Sequence, residues 1–243
     1  MIENPIYQKV YENVDINKNC EKKVIEKYSL YLSFLMSLSF VLGILIPYEM
    51  ISSTIWLIII ISSLILSITS LVLIPHIERP QAFIIVFPIF SGIFLSSISL
   101  YLKNTFKMMY ETYNPYSFGF MTIGITIMSL IMLSEIFYFL DIFKVRHFYF
   151  KYILLSLFDL FISLFVIFFI SNNIETYSFI FNSLASTITI FIFNFIIVLY
   201  HEEERKIVEL GIDKNDAFIL SILPLTVVYY IFQEIVFLMF KKH

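Results

Sequence analysis

The stretch "LYHEEERK" (199–206) holds the residues with the clearest chemical potential, and it directly follows the apolar run "TITIFIFNFIIV" (187–198). The cluster could be a metal site, a titratable gate on an ion path, or the solvated end of a membrane helix. A zinc protease helix needs a second histidine four residues after the first, and that position holds Arg205. We therefore interpret the glutamates mainly as a solvated helix end, continuing to a stop at Gly211, and His201 as a boundary residue that can titrate near neutral pH.

Three acidic residues lie inside apolar segments, where an ionisable group is costly and usually faces a partner in the protein interior. These are Glu135, Asp159 and Glu234. Glu135 and Asp159 fall at similar depths on consecutive predicted helices, so they could form a paired-carboxylate site that holds a proton or a cation. The alternative is that Glu135 reaches the membrane interface while Asp159 bonds a nearby serine, Ser156 or Ser163, as a neutral acid.

Other chemistry finds little support in the sequence. The four histidines have no spacing typical of metal ligands, and there is no P-loop or Gly-x-Ser-x-Gly motif. The single cysteine, Cys20, excludes an intramolecular disulfide, and no basic stripe suggests nucleic acid. We expect a protein that is not an enzyme and has no cofactor.

The elements that position these residues are predicted to be membrane helices, because the chain is 59% hydrophobic and only 14% charged. About 20 apolar residues are needed to cross a bilayer core. The predicted spans are 29–47, 52–75, 82–102, 117–140, 152–171, 177–200 and 217–240. The fold class is therefore all-α, a polytopic seven-helix bundle in residues 28–243 that follows a polar cytosolic segment, 1–27. We expect serine stripes, and Asn194 on the sixth span, to join neighbouring helices.

Lysine and arginine mark the side that faces the cytosol. Most of the 16 lie in the N-terminal segment and in alternate loops, so we predict a cytosolic N-terminus. Seven complete spans would leave Lys241 and Lys242 on the opposite side. A re-entrant last helix would return them to the cytosol.

Three stretches resemble the transmembrane Bax inhibitor motif family. "FPIFSGIFLSSI" (87–98) is similar to that family's third helix, "IIVLYHEEERKI" (196–207) to the end of its sixth, and "NDAFILSILPLTVV" (215–228) to the start of its seventh. The family has one aspartate at the end of helix six and another in helix seven, with an arginine near the turn between helices two and three. Here the aspartate positions hold His201 and Val228, and Arg79 lies near the arginine position.

The resemblance implies a seven-helix membrane protein of the endoplasmic reticulum or Golgi that leaks calcium or regulates calcium homeostasis and cell survival. It implies a gate of His201, Glu202 and Arg79 at the cytosolic mouth. Asp159 and Glu135 would line the path, and Glu202 or Glu234 would replace a missing carboxylate. The alternative is a non-conducting membrane scaffold or trafficking protein with membrane-protein partners in the bilayer. A channel should gather these polar groups at one cavity, whereas a scaffold should scatter them.

Overall fold

A computed structural model describes residues 5–14, 22–46, 51–109, 115–140, 148–170 and 176–226. The described residues form helices joined by turns and short connections, as the sequence predicts. The helices are α1 (Pro5–Glu12), α2 (Lys22–Ile44), α3 (Ser53–Leu73), α4 (Gln81–Met109), α5 (Pro115–Phe139), α6 (Phe148–Ile170), α7 (Thr176–Leu210) and α8 (Lys214–Leu220). A short 3-10 helix, Ile74–His76, follows α3.

The helices α2 to α7 occupy the predicted apolar segments, and several of them extend beyond the predicted bounds. Helix α2 begins earlier, at Lys22, and α4 runs on to Met109. Helix α7 continues through the charged residues to Leu210, and Gly211 follows with a φ of 96°. Because that conformation suits glycine, the predicted helix stop at Gly211 is confirmed. Asp213 then caps α8 by accepting hydrogen bonds from the backbone N–H groups of Asn215 and Asp216.

The predicted helix 217–240 is interrupted soon after it begins. Helix α8 ends at Leu220, a turn follows at Ser221 and Ile222, and residues 223–226 are helical again. Pro224, two residues after Ile222, has no N–H to donate to a preceding carbonyl, which explains the interruption. Glu234 and the remainder of the predicted span lie outside the described residues.

The N-terminal segment contributes to the core rather than only to the polar surface. On α1, Ile6 and Val10 are buried in the main hydrophobic cluster. The ammonium of Lys9 donates to the carbonyl oxygens of Ile74 and Ile77, which follow the end of α3. Asn13 donates to Asp216 of α8. These contacts attach α1 to the end of the bundle where α3, α4 and α8 meet.

Serine and glycine allow the first long helices to approach closely. Helices α2, α4 and α5 pack on one another, and α3 packs on α4. The hydroxyls of Ser67 on α3 and Ser91 on α4 are hydrogen-bonded at 2.8 Å. A Cβ atom at Gly92 would lie 2.4 Å from the backbone oxygen of Met36 on α2, so no larger residue fits there. The predicted role of small residues in helix packing is confirmed at these contacts.

Three described helices are long and apolar enough to cross a membrane: Lys23–Ile44, Ser53–His76, including the short 3-10 helix, and Gln81–Leu102. Gly124–Phe139 is a shorter apolar helix. Apolar side chains remain exposed along one face of α3, including Ile58, Ile61 and Ile65, and along α6. Burial is therefore concentrated where α4, α5 and α7 meet their neighbours.

Candidate functional site

Helix α7 carries the functional residues past the end of its apolar segment. At about 1.5 Å per residue, its 35 residues span roughly 50 Å, which exceeds a bilayer core of about 30 Å. His201 lies just after the predicted span, yet only 6% of its surface is exposed. Helices α5 and α6 pack against α7 and enclose this position. The histidine is thus a buried residue and not a solvated one.

Both ring nitrogens of His201 face carboxylates. Nε2 lies 3.3 Å from Oε1 of Glu135 on α5, and Nδ1 lies 3.1 Å from Oε2 of Glu204, three residues further along α7. The phenol ring of Tyr138 stacks on the imidazole, with 3.8 Å between ring centroids and 27° between planes. An imidazole held between two carboxylates is suited to carry a positive charge in an enclosed place. It also joins α5 to α7.

A second ion pair lies beside the histidine. Lys151, at the start of α6, forms a salt bridge with Glu202 of α7, and its side chain is only 4% exposed. Since an unpaired buried ammonium is costly, this pair also joins α6 to α7. We name the six residues of these contacts the His201 cluster: Glu135, Tyr138, Lys151, His201, Glu202 and Glu204.

A small pocket opens beside the His201 cluster. Its walls come from α2, α5, α6 and α7. The lining residues are Ile25, Glu26, Tyr138, Lys151, His201, Glu202, Glu204, Arg205 and Val208. Six of these nine residues are acidic, basic or histidine, and one of the six, Glu26, brings a buried carboxyl from α2. The pocket therefore joins four helices through titratable groups.

The carboxylates decide the protonation of His201. Burial alone lowers the pKa of an imidazole, but Glu135 and Glu204 outweigh burial and raise the pKa of His201 to about 10. For Glu204, burial raises the carboxyl pKa, while His201 lowers it in part and Glu135 and Glu26 raise it further. The imidazolium is thus the stable form at neutral pH, and Glu204 takes up a proton more readily than an exposed glutamate.

Two members of the predicted site are brought together with His201, and Asp159 is not among them. Glu135 and Glu202 belong to the His201 cluster, whereas Asp159 accepts a hydrogen bond from Nδ2 of Asn194 at 2.8 Å. Glu135 and Asp159 have different partners, so the structure does not form the paired-carboxylate site. The predicted alternative was a bond from Asp159 to Ser156 or Ser163; Ser156 instead accepts a hydrogen bond from the same Asn194 nitrogen at 3.4 Å, and the side chain of Ser163 lies outside the described residues. Asn194 joins α6 and α7 as predicted.

Arg79 lies apart from the cluster. It is exposed in the connection between the 3-10 helix and α4, and it does not line the pocket. Glu234 lies outside the described residues. Arg79 thus belongs neither to the His201 cluster nor to the lining of the pocket beside it.

The glutamates after His201 divide into two groups, which corrects their assignment to a solvated surface. Glu203 pairs with Lys206 and Arg205 with Glu209 on the outer face of α7. Glu204, in contrast, is only 4% exposed. Its i, i+3 spacing from His201 places the two on one face of a helix, and that signal was available in the sequence.

Sequence reasoning also missed Glu26, Tyr138 and Lys151. Glu26 and Lys151 lie near the ends of apolar segments, where charged residues commonly face solvent, and nothing in their local sequence distinguishes them. Only the packing of α2 and α6 beside α7 places them at the pocket. Among the described residues, no group of three or more His, Cys, Asp and Glu side chains has the geometry to hold a metal ion.

Comparison of the chain with family models, with curated proteins and with solved structures finds no match.

Proposed function

We propose that this chain is a seven-helix membrane protein, similar to the Bax inhibitor family, that provides a proton-sensitive calcium leak and so regulates calcium homeostasis and cell survival. The observation that carries the proposal is the His201 cluster, in which buried titratable groups from α5, α6 and α7 meet at one pocket. A leak needs polar groups that converge in this way, and a gate needs groups whose charge changes with pH.

The apolar helices support insertion in a bilayer. Three helices have the length and composition of membrane spans, and α3 and α6 expose apolar side chains that lipid would cover. In the endoplasmic reticulum or Golgi, a cytosolic N-terminus would place the His201 cluster at the cytosolic end of α7. Lipid is the partner that these faces fit.

The single cysteine offers a direct test of topology. Cys20 belongs to the N-terminal segment and is the only cysteine of the chain. In sealed vesicles with the cytosolic side enclosed, a membrane-impermeant maleimide should label Cys20 only after permeabilisation. A Cys20→Ser, Lys206→Cys variant should behave in the same way, because residue 206 lies on the part of α7 that continues beyond the predicted span 177–200. Labelling of either cysteine in sealed vesicles would contradict the orientation.

Gating would act through the bonds that join α5 to α7. At neutral pH the imidazolium of His201 lies between Glu135 of α5 and Glu204 of its own helix, α7. As the pH falls, proton uptake by Glu204 removes one of the two negative charges beside the imidazolium, and we expect this change to shift the His201–Glu135 contact that joins α7 to α5. The leak should therefore increase as the pH falls below neutral.

Calcium flux from liposomes that contain the purified protein tests the gate. We expect a leak that rises as the pH falls, with the pH dependence lost in His201→Gln and in Glu204→Gln. Lys206→Gln is the matched control, since Lys206 lies on the outer face of the same helix and pairs with Glu203. A folded protein with no leak at any pH would reject the proposal.

The second candidate function is a non-conducting scaffold or trafficking protein. It is favoured by the separation of Asp159 and Arg79 from the His201 cluster, because a scaffold can use scattered polar groups to fix helix packing. In that case His201→Gln should lower thermal stability, while calcium flux stays at the level of empty liposomes for every variant.

A further inference from the structure

A second buried acid lies between α6 and α7, apart from the His201 cluster. Asp159 is only 3% exposed, and its Oδ2 atom accepts a hydrogen bond from Nδ2 of Asn194, which is fully buried. Ser156, also fully buried, lies beside the same nitrogen. Asn194 precedes His201 by seven residues on α7, which is about two turns or 10 Å. Asn194 and His201 thus lie on nearly the same face of α7.

Two oxygen atoms of this pair have no hydrogen-bond partner in the described structure. They are Oδ1 of Asp159 and Oδ1 of Asn194, and both are shielded from solvent. A carboxylate and an amide oxygen can only accept hydrogen bonds, so each requires a donor that the other cannot supply. Leaving such buried atoms without a partner costs about 1–3 kcal/mol each. The pair is one proton short of complete hydrogen bonding.

Among the residues that the structure describes, no cation is paired with Asp159. The cations described on α6 and α7 are Lys151, His201, Arg205 and Lys206, and the last two pair with Glu209 and Glu203. The other titratable groups described on α5, α6 and α7 are Glu135, Tyr138, Tyr149, Tyr152, Tyr200, Glu202 and Glu204. Lys151 pairs with Glu202, and His201 pairs with Glu135 and Glu204. Asn194, a neutral residue, is the hydrogen-bond partner that the described structure provides for Asp159. A buried carboxylate without a cation favours its neutral, protonated form.

We propose that Asp159 and Asn194 form a proton-binding site in which the carboxyl is protonated at neutral pH. The proton resides on Oδ1 of Asp159, and this hydroxyl donates to the amide oxygen of Asn194. Nδ2 of Asn194 continues to donate to Oδ2, so acid and amide are bonded in both directions. One proton satisfies both oxygen atoms that otherwise lack a partner. The inference requires only burial between α6 and α7 and is independent of the calcium leak.

Infrared spectroscopy of the purified full-length protein tests this site, because a protonated carboxyl has a carbonyl band that a carboxylate lacks. We expect such a band at neutral pH in the wild type. It should be lost in Asp159→Asn and retained in Glu135→Gln, the matched control in the His201 cluster. Absence of an Asp159-dependent band at neutral pH would overturn the proposal. Loss of the band when sodium replaces choline at constant pH would also overturn it, in favour of a metal cation.

A second variant, Asn194→Leu, tests the hydrogen bond between Asn194 and Asp159. This test does not require the Asp159→Asn protein to fold. In Asn194→Leu, the carbonyl of Asp159 loses the hydrogen bond from Nδ2, so its band should move to higher frequency. A role of Asn194 in helix packing alone would not move this band. An unchanged frequency in a folded Asn194→Leu protein would show that the acid and the amide are not paired.

Discussion

The His201 cluster and the Asp159–Asn194 pair each contain a buried acid, but the two acids have partners of different charge. Glu135 is fully buried and faces an imidazole, whereas Asp159 is 3% exposed and faces an amide. A cationic partner stabilises the ionised form of a buried acid, and a neutral partner leaves desolvation in control. The contrast predicts that the protein tolerates a neutral residue in place of Asp159 better than it tolerates loss of the cation of the His201 cluster.

The largest expected effect comes from removing the cation of the His201 cluster. His201→Leu should lower the free energy of unfolding by about 3–5 kcal/mol, because it leaves the buried Glu135 and Glu204 without their positive partner. Thermal unfolding of the purified protein in detergent measures this loss. Adding Glu135→Gln to His201→Leu should recover part of it. A loss below about 1 kcal/mol, typical of an exposed pair, would mean that the cluster is not enclosed.

The pH dependence of stability should reveal the charge on His201. The folded pKa of His201, about 10, lies above the unfolded value of about 6.5, so the folded state binds the proton more tightly. This contribution is complete below about pH 6.5 and is lost as the pH rises towards 10. Glu204, whose pKa is also raised, changes stability in the same direction.

Melting temperature measured across this range checks the prediction. It should decrease as the pH rises in the wild type, and the decrease should be smaller in His201→Gln. Equal slopes in the two proteins would show that His201 is neutral in the folded state.

A smaller effect is expected at the second ion pair. Lys151→Met should destabilise the protein by about 1–3 kcal/mol, because Glu202 loses its partner but can still reach water through its 26% exposed side chain. The double variant Lys151→Met, Glu202→Gln measures the coupling between the two residues. Strict additivity of the two single changes would show that the pair contributes nothing as a pair.

The smallest effect is expected at Asp159. Asp159→Asn should change the free energy of unfolding by less than about 1 kcal/mol, because an amide replaces a neutral acid of similar shape and can still bond Asn194. Urea or thermal unfolding measures this free energy for Asp159→Asn and for Glu135→Gln, and the two values are compared. If Asp159→Asn is as costly as His201→Leu, the carboxyl of Asp159 is ionised and the contrast between the two sites fails.

Much of the helical framework was predictable because its causes are local. The apolar segments located α2 to α7, Gly211 ended α7, and Asp213 capped α8. The turn after α8 could also have been found, since Pro224 lies within the predicted span 217–240. The position of Arg79, which the family resemblance placed at the mouth, depends on a spatial relation between distant helices, and Arg79 is not among the residues that line the pocket beside His201.

The sequence by itself determined that this chain forms long apolar helices with a few ionisable groups inside them or at their ends, because helix formation and hydrophobicity depend on neighbouring residues. Only the tertiary structure decided which of those groups meet. Glu135 and His201 lie on different helices, and their contact depends on how α5 and α7 are rotated about their axes. A residue's depth along a helix follows from its number, but its partner follows from packing. For that reason Glu135 has a histidine beside it and Asp159 has an asparagine.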